Sequence, residues 1–519
     1  MGKASGALDV QGVEEQSWTG LGWADLAVVG AWLLYALSAA PGLTWAHQGA
    51  DGGELLAAAV TNGVPHPPGY PLYMMMLQGW LAMTEILLRG GDLAWRSNLF
   101  SALCAGLSAG FVVLTAAHLL RLQTGRWPCA MLAGLAWAIS PLLWSQAIIS
   151  EVYGLHALIV AFLGWATLVK PQRLWYLGVA LALGVAHHLT IVLLLPAVLY
   201  VQWAQTRTWS RMLRVLTWVV VGGLLGALFY VRIPWAAQQM APVNWGYADN
   251  WQGFWWLVSG QAYRGYLFSV GFGVMLSRLA AWAYTLTVQY TPFGLALVLI
   301  GLAHNDREQH PLRNFELLWL TPVSIYSIGY YTRDSDIYLL PVVWLLALLA
   351  AIGLGVCVEW AQHRWPMQKR TWRLMVALLF VGIAVLLLVR WPSLALRQDV
   401  EAQRYLSDVA AVLEPGSIVI SRDDRETFAL WYGAWGSGEL ERSAPGVILL
   451  NDSLYQFDWY RRQQGALHPD IPAISDSIDQ VLTENVGRRP IFFAEQLPIV
   501  DAASLTPIGP LWRYETRRY

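Results

Sequence analysis

The chain has 519 residues, 56% of them hydrophobic and only 13% charged, with a mean hydropathy of +0.43. Soluble domains carry about 25% charged residues, so most of this chain does not meet water, and several runs approach the roughly 20 apolar residues that span a bilayer. A net charge of −1 excludes an electrostatic case for nucleic-acid binding.

Near the amino terminus one basic residue, Lys3, stands against Asp9, Glu14 and Glu15. The first apolar run, 23–40, therefore lacks the basic flank of a cleavable signal peptide and reads as a permanent span, with residues 1–22 on the cytoplasmic side. Further apolar runs cover 97–120, 127–149, 153–169, 174–186, 189–205, 215–231, 279–302, 317–331, 337–358 and 374–389, which makes about eleven transmembrane helices. Basic residues gather between them at Arg121/Arg126, Lys170/Arg173, Arg207/Arg211/Arg214, Arg307/Arg313 and Arg364/Lys369/Arg370/Arg373. Cytoplasmic loops are enriched in Lys and Arg, which fixes the orientation. The run 72–88 breaks that parity if it crosses; with Met74–Met76, Gln78 and Glu85 it suits a helix lying flat in the interface. Thirty tryptophans fit interfacial anchoring. Cys104, Cys129 and Cys357 all fall in apolar runs, with no metal spacing or disulfide framework among them.

The membrane part is thus expected over 23–391, with two extracytoplasmic segments of size, 41–96 and 234–278. The more polar tail, 392–519, alternates short β-like runs (417–420, 447–450, 491–493) with helical ones (426–432, 453–464). That alternation predicts a small extracytoplasmic α/β domain.

Several polar groups sit where a membrane chain should avoid them. Asp51 and Glu54 have capping-box spacing ahead of a helical run; a carboxylate at a wet membrane edge can equally act as a general base. His66 opens the turn His66-Pro67-Pro68-Gly69-Tyr70-Pro71, in which the prolines fix the backbone. It could donate to a phosphate, or join Asp51 or Glu54 at a divalent metal, although the spacing requires no metal. Glu151, in Ser150-Glu151-Val152-Tyr153, lies where two spans meet, and an ionisable group at that depth is a functional-site hypothesis by default. His187 and His188 point different ways, so one faces a site or one is a core histidine bonded to a carbonyl. Arg333, beside Asp334 and Asp336, breaks the positive-inside pattern; it either pairs with those aspartates or grips a lipid phosphate.

Five blocks in order resemble the protein O-mannosyltransferase-like membrane family of the GT-C glycosyltransferase superfamily. They are Asp51-x-x-Glu54 through Gly63-Val64-Pro65-His66-Pro67-Pro68-Gly69-Tyr70; Ser150-Glu151-Val152-Tyr153; Gly184-x-x-His187-His188; Asn244-Trp245-Gly246 with Gln261-x-Tyr263-Arg264; and Arg333-Asp334 before Tyr338. The tail is similar only through Asp423-Asp424-x-x-Thr427-Phe428-x-Leu430-Trp431-Tyr432. The resemblance implies a GT-C-like polytopic α-helical fold whose first extracytoplasmic loop carries the catalytic acid. It also implies inverting transfer of a sugar from a polyprenyl-phosphate donor to a hydroxyl of a protein or glycan. The family's eukaryotic branch suggests mannose, and the setting would be a bacterial inner membrane. Carried over, Asp51 is the general base and Glu54 its support or substitute. Arg333, Arg264 and His66 bind the donor phosphate. Glu151, Tyr153, His187, His188, Asn244, Trp245, Gln261, Tyr263 and Asp334 line the cavity. No cofactor is assigned. The competing readings are a transporter of lipid-linked saccharides and a non-catalytic assembly protein; the chain lacks the internal symmetry many transporters show.

Overall fold

The computed structural model describes residues 10–88, 90–120, 125–307, 311–365 and 369–515. Residues 1–9 of the expected cytoplasmic segment and Arg121 of the first basic loop lie outside them.

Helix α1 (Val10–Ser38) leads into α2 (Asp51–Val60) and α3 (Pro71–Leu87), then into α4 (Leu93–Leu119), α5 (Arg126–Ala138), α6 (Pro141–Ala147), α7 (Tyr153–Leu168) and α8 (Leu174–His187). Next come α9 (Leu195–Thr206), α10 (Trp209–Leu228) and α11 (Arg232–Ala237), followed by α12 (Trp251–Val258), α13 (Phe272–Gln289), α14 (Pro292–Arg307), α15 (Pro311–Gly329), α16 (Leu340–Arg364) and α17 (Lys369–Leu394). The tail adds α18 (Glu401–Val412), β1 (Ile418–Ser421), α19 (Asp424–Trp431), α20 (Glu439–Ser443), β2 (Ile448–Asn451), α21 (Asp458–Leu467), α22 (Ile478–Asn485), β3 (Ile491–Phe493), β4 (Leu505–Ile508) and β5 (Leu511–Tyr514).

Among the described residues, five helical stretches are long and apolar enough to cross a membrane, seven if two bent pairs count as spans. Gly22–Ser38, Tyr153–Leu168 and Leu174–His187 are shorter apolar helices. Length and hydropathy therefore do not by themselves reach eleven, and two expected spans are not straight rods. The run 127–149 bends by 64° between α5 and α6, and 279–302 bends by 101° between α13 and α14. In both, an extended residue, Ser140 or Tyr290, precedes a proline, Pro141 or Pro292, that starts the next helix. Proline lacks the amide hydrogen that a continuous helix would need.

Helix pairs approach through small residues, as lipid-embedded helices do. A side chain on Gly353 of α16 would overlap the Leu297 carbonyl of α14, and one on Gly301 would overlap Leu349 in return. Helix α3 buries Leu72, Tyr73, Met74, Leu77 and Leu81 while Met75, Met76, Met83, Ile86 and Leu87 are exposed. One face is packed and the other is apolar and open, as suits a helix lying against lipid.

The tail is an α/β unit with a five-stranded sheet in the order β2-β1-β3-β5-β4. β1 pairs in parallel with β2 and β3, and β5 pairs antiparallel with β3 and β4. The first three strands are wholly buried, as expected of a parallel sheet covered by helices.

This unit is seated on the membrane part rather than tethered beside it. The Trp45 indole donates to the Arg425 carbonyl at 2.9 Å, and the Arg425 guanidinium lies 3.9 Å from the centre of the Trp45 ring. Tyr432 donates to Asp92 at 3.3 Å, and the same carboxylate caps α4 at the amides of Ala94 and Trp95. Gln463 of α21 donates to the Pro242 carbonyl at 2.9 Å. At Gly53 of α2 an added Cβ would strike the backbone carbonyl of Phe428 in α19. Gly53→Ala is expected to weaken this seating by about 1–3 kcal/mol, since the obstacle is backbone. Limited proteolysis in detergent should release the tail sooner from the variant than from the unaltered chain.

Candidate active site

The chain enters the site at the start of α2. Asp51 is its first residue, and the helix behind it is buried from Gly52 to Ala59. The expected capping box does not form: the N-cap is Ala50 with helical dihedrals, and no side chain caps this end. Glu54 instead turns inward, with no exposure, and its carboxylate accepts the His66 backbone amide at 2.9 Å and also bonds the His66 ring at Nδ1. A buried carboxylate is tolerated where a cation and hydrogen bonds satisfy it, and that demand outweighs a local cap.

The Pro67–Pro68 peptide is cis and Gly69 has a φ of +87°. Through this turn the ring of His66 reaches back over α2. Its Nε2 lies 3.7 Å from the Asp51 carboxylate and 3.2 Å from the Tyr70 hydroxyl. One imidazole therefore stands between two carboxylates. Burial opposes its protonation, but Glu54 and Asp51 outweigh that cost and push His66 up to about 10. Asp51 is held near 6: burial raises it, the His66 charge pulls it down, and Glu54 and Asp334 push it up. Its side chain is still 36% exposed, so it sits deep in the protein but opens onto solvent.

The other expected residues divide into those that face this centre and those that support it. Glu151 is 3% exposed; burial lifts its carboxyl well above the usual range, Asp51 adds to this, and His66 counters it. Asp334 acts on Asp51 and Glu151 as a neighbouring negative charge. The rings of Trp245 and Tyr263 approach the His66 ring to 6.3 and 6.4 Å. Of the histidine pair, His188 lies between Tyr70 (5.8 Å), Tyr153 (6.1 Å) and Tyr338 (5.8 Å), next to the site. His187 is bonded to the Val152 carbonyl at 3.0 Å and has no exposure, which is the core-histidine alternative. Asn244 is buried and braces its own loop through the Ala237 carbonyl, while the strand-like pairing of Val64 with 243–245 ties that loop to the His66 turn. Gln261 is exposed.

Arg264 and Arg333 are brought to one rim. Leu267 bridges to Tyr330, and the Tyr331 amide donates to Tyr266 at 2.9 Å. The two arginines lie two residues beyond that contact, Arg264 in the 3-10 helix Gln261–Tyr266 and Arg333 in the turn after α15. Both are exposed, and neither forms an ion pair among the described residues. The expected alternative pairing of Arg333 with Asp334 or Asp336 is therefore absent there. No group of three or more His, Cys, Asp or Glu side chains among the described residues is arranged to hold a metal ion.

Sequence reasoning passed over Tyr70, Tyr338 and Asp424. Tyr70 and Tyr338 stood inside quoted blocks, but only the fold packs their rings around His188. Asp424 arrives from the far end of the chain, and its signal was the doubled aspartate Asp423-Asp424 ahead of a helix.

In overall arrangement the protein matches ArnT of Cupriavidus metallidurans, solved with undecaprenyl phosphate bound. The TM-score is 0.56 at 15% identity, covering 91% of this chain and 92% of that one. The Archaeoglobus fulgidus oligosaccharyltransferase, solved with zinc and sulfate, matches with a TM-score of 0.50 at 12% identity, covering 82% and 62%. The fold is that of the GT-C glycosyltransferases. Residues 51–211 match the family model of the protein O-mannosyl-transferase TMEM260 N-terminal domain. Protein O-mannosyl-transferase TMEM260 of Dictyostelium discoideum is 25% identical over 329 residues, 59% of this chain and 39% of that protein. The mouse protein of the same name is 26% identical over 449 residues, 79% of this chain and 60% of that protein. The chain thus spans about half the length of these relatives.

The buried triad makes a stability prediction. His66→Gln leaves the Glu54 carboxylate buried without its cation and should cost about 3–5 kcal/mol. Adding Glu54→Gln to it should recover much of that loss in thermal unfolding. Because His66 is raised from 6.5 to about 10 on folding, its contribution is full below pH 6.5. It should drain away as pH rises through about 10, seen as a falling unfolding temperature over that window.

Proposed function

We propose that this protein is a multi-pass membrane glycosyltransferase that moves a sugar, mannose by the naming of its relatives, from a polyprenyl phosphate to a protein hydroxyl. The observation that carries the reading is the solvent-open Asp51 carboxylate beside a buried imidazolium. It lies in the segment matched by the O-mannosyl-transferase domain model.

Asp51 accepts the proton of the acceptor hydroxyl as the oxygen attacks the anomeric carbon. The bond from that carbon to the donor phosphate breaks on the opposite face, so the configuration inverts. The leaving phosphate carries its electron pair to the rim where Arg264 and Arg333 stand unpaired, and a planar guanidinium binds phosphate in a fork. His66 keeps Asp51 ionised near neutral pH, and Glu54 holds His66. Glu151, Tyr153, His188, Trp245, Tyr263 and Asp334 wall the cavity, with His187, Asn244 and Gln261 behind or beside it. The positive-inside pattern supports an extracytoplasmic site in a bacterial plasma membrane, with α2, α3 and the tail on that side. The sheet-bearing tail supports a first domain over 23–391 and a second over 392–519.

Purified chain in detergent, given a panel of polyprenyl-phosphate sugars and peptide acceptors, should release lipid phosphate detectable by mass spectrometry. Asp51→Asn should lower transfer about 10²–10⁴-fold while the protein still folds. A transporter would bind donor without breaking it. Transfer should rise with pH through about 6 as Asp51 ionises. Arg264→Ala and Arg333→Ala should each raise the donor KM about 10-fold or more, the scale of a lost charge-assisted hydrogen bond.

A further inference from the structure

The tail is not merely seated near the site; it contributes a side chain to it. Helix α19 lies across α2, with the Phe428 carbonyl on Gly53, two residues past Asp51. Asp424 is the first residue of α19, one helical turn before Phe428. That contact sets α19, which begins at Asp424, against the first turn of α2, which begins at Asp51. Asp424 senses that neighbourhood: burial lifts it to about 6, the charge of Asp51 adds to this, and His66 opposes it. Asp424 stands in a crowded recess yet keeps access to solvent, and its side chain has no hydrogen bond or ion pair among the described residues, although Arg422 and Arg425 flank it in sequence. Arg422 is spent on Asp452, and Arg425 on Glu401 and Glu426. On the opposite flank α21 brings Trp459 to within 5.9 Å of Trp245, whose ring faces His66. The tail therefore meets the site from two sides.

We propose that Asp424 is a specificity-determining residue: it binds a hydrogen-bond donor of a polypeptide acceptor and so places that acceptor's Ser or Thr hydroxyl beside Asp51. The inference rests on the glycosyltransferase reading above and adds what the tail does in it. A carboxylate accepts hydrogen bonds only, so it suits backbone amides or a side-chain amine next to the reacting hydroxyl. The donor phosphate belongs at the arginine rim.

The test uses the full chain in detergent with a polyprenyl-phosphate mannose and synthetic Ser/Thr peptides. Asp424→Asn should raise the peptide KM about 10-fold or more with little change in kcat, and Asp424→Glu should recover part of the loss. Asp423→Asn is the control: this exposed neighbour makes no side-chain cap on α19, and its variant should match the unaltered chain. An unmoved peptide KM in Asp424→Asn, a fall in kcat alone, or transfer to glycans but never to peptides would overturn the proposal. No breakdown of any polyprenyl-phosphate sugar by the unaltered chain would overturn the glycosyltransferase reading itself, and this proposal with it.

Discussion

An imidazolium wedged between two carboxylates organises the reactive end of this molecule. Glu54 has no exposure, and an isolated ion in such a place would cost several kcal/mol. The His66 ring and backbone amide both serve it, so the turn bearing three prolines is tied to the first turn of α2. The other edge of the same ring faces Asp51. The interaction that stabilises the loop is thus also the one that sets the charge of the solvent-open carboxylate. Without it, burial and the charges of Glu54 and Asp334 would all push Asp51 toward its neutral form. With it, Asp51 stays near 6, close to the range in which a general base works at neutral pH.

That centre depends on what covers it. The first long loop carries Asp51 and His66, the second brings Trp245 and Tyr263, and the turn after α15 brings Asp334 and an unpaired Arg333. The tail closes over α2 through a contact that only glycine allows. Polar groups collect where four separate parts of the chain meet, and the surrounding helices pack through small residues and carbonyls. The result is a division of charge between the carboxylates of Asp51, Asp334 and Asp424 and the guanidinium groups of Arg264 and Arg333. That division suits a reaction in which one partner loses a proton and the other loses a phosphate.

Much of this was legible in the residues. Hydropathy located the helices, because a bilayer demands a run of apolar side chains whatever the fold around it. The three parallel strands of the tail were readable as short buried apolar runs, each within a residue of its observed place. The β4–β5 hairpin was not: both strands are only partly buried, and β4, which carries Pro507, is an edge strand, and edges carry weak hydrophobic signal. The motif blocks pointed to Asp51, His66 and the two arginines. Local rules misread Glu54, whose spacing fits a cap; only the return of His66, twelve residues on, shows that it has a different partner. Asp424 could not be placed by pattern, since its neighbour in space is more than 370 positions away in sequence.

The claim on which the rest depends is that His66 is a cation at neutral pH. Nitrogen-15 NMR of histidine-labelled protein in detergent, with the His66 signal assigned by its loss in His66→Gln, reads this directly. The account predicts both ring nitrogens protonated at pH 8 and a titration midpoint near 10. A neutral His66 at pH 7, with one bare nitrogen, would contradict it.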